Sequence, residues 1–283
     1  MYRAIHAKVR QRITLLPRHL ADDVSAIIRK IIIIDAKSKG AISLLPRRMS
    51  LALPKNKQPN SPIIADLGAA QIFGWAAHTA YDAIFDRQEL VCYLPAANSC
   101  ADILAEYYKK KAFKNFQNCF RRIIQDTHAA NAWEQACARD PLNPPNYQRY
   151  QILADRGMGH AMGALAALSC AGYSENSSEF AAVEKFFRGY IIAKQLHDDA
   201  CDWVDDLASG HITPVVSAII SAQPNSDKQR EYFSLRGSQW AAGQISIALK
   251  NAERALNTTS TVLNIEKLLP LTRPLRVKTA ANS

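Results

Sequence analysis

Apolar residues recur at helical spacing along nearly the whole chain. No run of alternating apolar and polar residues is bounded by turn signals, so the pattern predicts an all-α protein. Two stretches lack the polar face of an ordinary amphipathic helix. Leu67 to Tyr81 carries no formal charge, is expected to start behind Asp66 as N-cap, and ends in Asp82-Ala-Ile-Phe-Asp86. Phe186 to Ala193 is apolar nearly all round, with Phe187 and Ile191 on the face that turns acidic in the following turns. A helix apolar on every side is a buried helix. A third uncharged stretch, Gly157 to Tyr173, follows Arg156.

The breaks are equally legible. They fall at Leu15-Leu16-Pro17, at Pro54 to Pro62, at Pro141 to Pro145 and at Gly210-His-Ile-Thr-Pro214, where glycine reads as a helix stop. Residues 1–34 are expected to form one or two basic, peripheral helices. Residues 99–139 form a long helical region whose lysines and arginines read as a solvated face. Past Pro214 come a helix through Ile220, a polar loop at 223–227 and a helix or two to Leu256; residues 270–283 form a basic, mobile tail. With no linker and no repeat, the expectation is one helical domain over 1–283.

The chemistry concentrates in Gln195-Leu-His-Asp-Asp-Ala-Cys-Asp-Trp-Val-Asp-Asp206. On a helix Asp198, Asp202 and Asp206 are spaced i, i+4, i+8 and lie within roughly 80° of one another. Stacked carboxylates repel by a few tenths of a kcal/mol per exposed pair, and more when buried, so the arrangement calls for a cation. Leu196, Ala200, Val204 and Leu207 supply an apolar stripe on the far side, as in a plain amphipathic helix. The buried stretch just upstream tells against a merely solvated face. Asp82 and Asp86, at i, i+4, repeat the same logic at the end of another uncharged helix.

Composition narrows the partners. The chain has 283 residues, 48% hydrophobic, with a formal net charge of +10, enough for a large core. The positive balance suits an anionic small substrate and permits peripheral membrane contact; nucleic acid is not expected, since nothing beyond net charge points to it. The cysteines show neither CxxC pairs nor zinc-ligand spacing, and most of them sit among apolar helical residues as reduced core thiols do. The N-terminus has no signal-peptide pattern, and Ala26 to Ile34 is far shorter than the ~20 residues of a bilayer span. The expected compartment is the cytoplasm.

Two acid clusters among buried helices suit Mg²⁺, which binds through one or two carboxylates together with substrate phosphates. Here the sequence resembles the class I isoprenoid synthase superfamily: trans-prenyl diphosphate synthases, squalene and phytoene synthases, and class I terpene cyclases. Gln195 to Asp202 resembles the second aspartate-rich motif of the prenyl synthases, Q-x-x-D-D-x-x-D. Its continuation through Asp206, Gly210 and Ile212 resembles the squalene and phytoene synthase pattern. Asp82 to Asp86 resembles the first motif, with Ala83 in place of a middle aspartate. The resemblance covers roughly residues 37–215.

The resemblance implies a helical bundle around a central cavity and two or three Mg²⁺ ions. The ions would be held by Asp82, Asp86, Asp198, Asp199, Asp202 and Asp206, with Asp82, Asp86, Asp198 and Asp202 catalytic. Arg156 lies 42 residues before Asp198, where the family carries a diphosphate-binding lysine. With Lys194, Gln195, Lys39 and Arg47 it makes up the expected diphosphate-binding set. Gly74, Ala77 and His78, one and two turns before Asp82, would line a tail pocket for a C15 to C20 chain. The implied substrates are an allylic prenyl diphosphate and isopentenyl diphosphate, and a homodimer is compatible. Only Arg87 closely follows the first motif, where prenyl synthases have paired arginines, which puts the elongation pocket in question. Prenyl transfer ranks first and terpene cyclisation second. A catalytically silent subunit of this fold is a third reading, and a histidine-rich HD-type phosphohydrolase using His197, His78 and His160 a fourth.

Overall fold

The computed structural model describes residues 1–87, 91–140, 143–273 and 275. Every regular element among them is helical. In chain order these are α1 (Tyr2–Ile13), α2 (Arg18–Lys37), α3 (Leu45–Ala52), α4 (Ser61–Arg87), α5 (Leu94–Tyr108), α6 (Gln117–Cys137), α7 (Gln151–Gly157), α8 (Met162–Cys170), α9 (Ser178–Ser209), α10 (Pro214–Ala222), α11 (Ser226–Tyr232) and α12 (Ser238–Asn257). The all-α expectation holds among these residues, and the expected breaks at Pro17, Pro54 to Pro62 and Gly210 to Pro214 are present, whereas the long helical region expected over 99–139 is divided at 109–116, where neither proline nor glycine stands. None of the described helices is long and apolar enough to cross a membrane. Most of the expected basic tail lies outside the described residues.

The helices form two compact units. Unit 1 comprises Met1–Arg122, Gly159–Ala181 and Thr261–Leu268; unit 2 comprises Ile123–Met158, Ala182–Ser260 and Leu269–Ser283.

Unit 1 is built around α4, which packs against α1, α2, α3, α5 and α8. Its uncharged sequence is what permits neighbours on so many sides. Leu67, Ala69, Ile72, Phe73 and Ala76 are all fully buried. At Gly68 an added Cβ would lie 2.6 Å from Ile5 Cδ1, so α1 comes in against bare backbone. The N-terminal helices are therefore seated directly on α4. Its one buried amide is satisfied: Gln71 Nε2 donates to the His160 carbonyl at 2.7 Å, and its Oε1 accepts from Gly163 N at 3.1 Å.

The start of α4 corrects one expectation. Asp66 is not its N-cap, because the helix begins a turn earlier, where Asn60 Oδ1 accepts from Ile63 N at 3.0 Å and Pro62 needs no donor partner. Asp66 instead sits inside the helix and pairs with Lys8 (2.6 Å) and Lys110 (2.8 Å).

In unit 2, α9 and α12 run antiparallel. Gly189 meets α12 at Ala248 and Ala252, with an added Cβ only 2.8 Å from Ala252 Cβ. Further along α9, Trp203 and Ala200 pack in one apolar cluster with Ala241, Ile212, Val216 and Ile219. The apolar first half of α9 is buried as its sequence requires: Phe186, Phe187, Ile191 and Ala193 are at most 3% exposed.

Candidate functional site

The acids begin where α9 leaves its apolar surroundings. Helical geometry spreads them over two faces. Asp198 and Asp202 lie on an open side: the Asp198 side chain is 44% exposed, and Asp202 is exposed. Lys194, one turn back, reaches Asp198 Oδ2 at 2.5 Å, and His197 Nδ1 lies 3.5 Å from Asp198 Oδ1. Gln195 is half-buried beside them. Desolvation raises the Asp202 pKa; the charges of Asp206, Asp198 and Asp205 add to the shift, and His197 opposes it.

Asp199 and Asp206 lie two turns apart on the other face. Asp199 Oδ2 is buried without a hydrogen-bond partner. Burial pushes the Asp199 carboxyl well above the usual carboxylate range; Asp206 and Asp198 push the same way, while His211 and Arg156 oppose. An orphan oxygen of this kind is uncommon and costly.

The cations facing these acids come from elsewhere in unit 2. Gly210, at φ +75°, ends α9 in a left-handed turn, with His211 N bonded to the Asp206 carbonyl (2.8 Å) and Gly210 N to that of Leu207 (3.2 Å). This reversal folds the His211 ring back onto the helix end. Its Nδ1 lies 3.5 Å from Asp206 Oδ1 and its Nε2 3.0 Å from Glu134 Oε1. Burial pulls the His211 pKa down, but hydrogen bonds and charge from Asp206 and Glu134 outweigh it and bring the value to about 9. The ring is therefore a cation at neutral pH. Arg156 Nη1 contacts the same Glu134 oxygen at 2.5 Å, and Tyr147 donates its phenol to the Ile212 carbonyl.

Unit 2 thus gathers Asp198, Asp199, Asp202, Asp206, Lys194, Gln195 and Arg156 in one neighbourhood. Sequence reading missed Glu134 and His211. Glu134 carries no local signal, because it sits in a helix read as a solvated basic face. His211 had one: it follows directly on the glycine stop.

The remaining expected residues belong to unit 1. Asp82 is half-buried near the end of α4; the side chain of Asp86 lies outside the described residues. Ala77 is buried and His78 half-buried. Gly74 faces Leu104 of α5, whose methyls an added Cβ would meet at an ordinary 3.5 Å. Lys39, in a left-handed turn at φ +54°, and Arg47 are both exposed. His160 accepts a hydrogen bond at Nδ1 from Trp75 at 3.1 Å, as a core histidine does.

Among the described residues no three His, Cys, Asp or Glu side chains are grouped to close on one metal ion. The donors on α9 are all carboxylate oxygens, the type Mg²⁺ takes, and Mg²⁺ keeps several waters rather than requiring a closed protein cage. The orphan Asp199 oxygen and the crowding around Asp202 are compatible with a divalent cation.

No known protein family, curated protein or solved structure matches this chain.

Proposed function

We propose that the chain is a Mg²⁺-dependent enzyme of the class I isoprenoid synthase type, with the central-cavity bundle of that class. It would act on an allylic prenyl diphosphate, first as a prenyltransferase. One observation carries the reading: the helix resembling the second aspartate-rich motif presents Asp198 and Asp202 on an open side one turn apart, with Asp199 Oδ2 buried and without a hydrogen-bond partner beside them, so that like charges crowd on one stretch. Such crowding is relieved by a bound cation.

In this proposal Asp198 and Asp202 hold the ions, with Asp199 and Asp206 behind them. Mg²⁺ bound there supplies charge stabilisation to a departing diphosphate. Lys194 and Arg156 add fixed positive charge for the same anion. Gln195 orients it by hydrogen bonding. The Glu134–Arg156 and Glu134–His211 contacts hold the positive charges in position.

The test is incubation with Mg²⁺ and C10, C15 and C20 allylic diphosphates, with and without isopentenyl diphosphate, followed by analysis of diphosphate and hydrocarbon products. Longer diphosphates formed only with isopentenyl diphosphate mean prenyl transfer, and hydrocarbon formed without it means cyclisation. Asp198→Asn with Asp202→Asn is expected to lower turnover by about 10²–10³-fold, the usual scale for losing a main electrostatic stabiliser. If no allylic diphosphate releases diphosphate in Mg²⁺, the enzymatic reading fails.

A further inference from the structure

A cleft of about 1180 Å³ opens in unit 2 on the stretch of α9 that precedes the acids. Its walls are α9 at Lys185, Arg188 and Ile192, the facing side of α12, and the loop around Arg149 and Tyr150. Because α9 and α12 are antiparallel, the cleft has two chemically different ends. Lys185 and Arg188 on α9 lie opposite Arg254 on α12, and the lining turns apolar towards Ile192, Pro214, Ala218 and Trp240. Along α12 the basic end is separated from Trp240 by roughly 20 Å.

Three features set this cleft apart from ordinary surface relief. No carboxylate lines it among the described residues. Arg188 is held in place by Asp155 (2.5 Å) and Glu184 (3.4 Å), while Lys185 and Arg254 make no ion pair among the described residues. Ile247, on the same wall, is 54% exposed. Arg149 and Tyr150, on the lip, are consecutive non-glycine residues at φ +60° and +67°. Strained backbone of this kind gathers at ligand sites, and Tyr150 Oη is held 3.4 Å from Gln244 Oε1.

We propose that this cleft binds a single-chain amphiphile with a phosphate-type head, separately from the acids of α9. Lys185 and Arg254, which make no ion pair among the described residues, outnumber the single charge of a fatty acid, and the Arg254 guanidinium fork matches phosphate oxygens. The apolar end, with Trp240 and Ile247, takes the chain.

Octyl phosphate titrated calorimetrically in EDTA tests this without involving any Mg²⁺-dependent site. One-to-one binding is expected, tighter than that of inorganic phosphate or octyl glucoside by at least tenfold. Lys185→Glu with Arg254→Glu should weaken it at least tenfold, and Ile247→Ser about threefold; all three positions are exposed, and circular dichroism checks that the fold is kept. Phosphatidylcholine vesicles with and without lysophosphatidic acid, a single-chain lipid, separate the sources of the head. Binding only to the acidic vesicles assigns a membrane lipid, and binding only to the monomer assigns a soluble phosphorylated chain. The proposal is overturned if the double variant keeps full affinity, or if inorganic phosphate or octyl glucoside binds as tightly as octyl phosphate. Asp198→Asn with Asp202→Asn should leave octyl phosphate binding unchanged, so failure of the enzymatic reading and failure of this one are distinguishable.

Discussion

Asp35 in unit 1 and Asp199 in unit 2 are both carboxylates drawn away from water, and they are treated in opposite ways. Asp35 accepts from Ile42 N (2.8 Å), Ser43 N (3.1 Å), Ser43 Oγ (2.5 Å) and Tyr2 Oη (3.0 Å). It ties the end of α2 to the turn before α3 and to the start of α1. Asp199 leaves Oδ2 without a partner and has acids for near neighbours. A buried acid whose oxygens are satisfied by the chain's own donors stabilises the fold. One left unsatisfied among like charges costs stability, a cost relieved by protonation of the carboxyl or by a bound cation.

The largest test of that contrast is Asp35→Ala. Removing an acceptor that serves four donors in a buried site should cost about 3–5 kcal/mol, read as a lowered urea midpoint. A loss under about 1 kcal/mol would mean that Asp35 is not the anchor described.

Next comes pH. His211 has a folded-state pKa of about 9, above the roughly 6.5 of an unfolded histidine. Its stabilisation is complete below about pH 6.5 and is lost as pH rises through about 9, a window worth up to about 3 kcal/mol. Thermal melts across this range should fall with rising pH, and His211→Ala should flatten the dependence attributable to this ring. An unchanged slope in the variant would sink the assignment.

Asp199→Asn sharpens the comparison directly. Because the wild-type carboxyl is disfavoured in its charged form, the amide should be neutral or stabilising by about 1 kcal/mol at pH 8, while product formation drops. A cost comparable to that of Asp35→Ala would put the two aspartates in one class. The smallest effect belongs to Lys194→Ala. It breaks a largely exposed i, i+4 pair with Asp198 and should cost only ~0.3–0.5 kcal/mol, whereas affinity for a diphosphate should fall visibly. An equal affinity would leave Lys194 with a purely structural role.

Helix α4 and the first half of α9 were legible from sequence because an uncharged helix has no face to give to water. The glycine stop at Gly210 was legible because a left-handed terminal residue favours glycine. Asp66 is a misleading cap signal because Asn60-Ser61-Pro62, a turn upstream, starts the helix first. Asp35 carries no local signal because its partners, Tyr2 and Ser43, meet it only after three segments have packed.

By itself the sequence determined the helices, their breaks and the relative angles of Asp198, Asp199, Asp202 and Asp206, since 3.6 residues per turn fixes how side chains on one helix are spaced. It did not determine which of those angles faces inward. Tertiary packing turned Asp199 and Asp206 toward Glu134, Arg156 and His211 and left Asp198 and Asp202 on an open side. Glu134 is 77 residues from His211, and no periodicity carries information over that separation. Only the packing of the helices that bear these two residues brings their charges together.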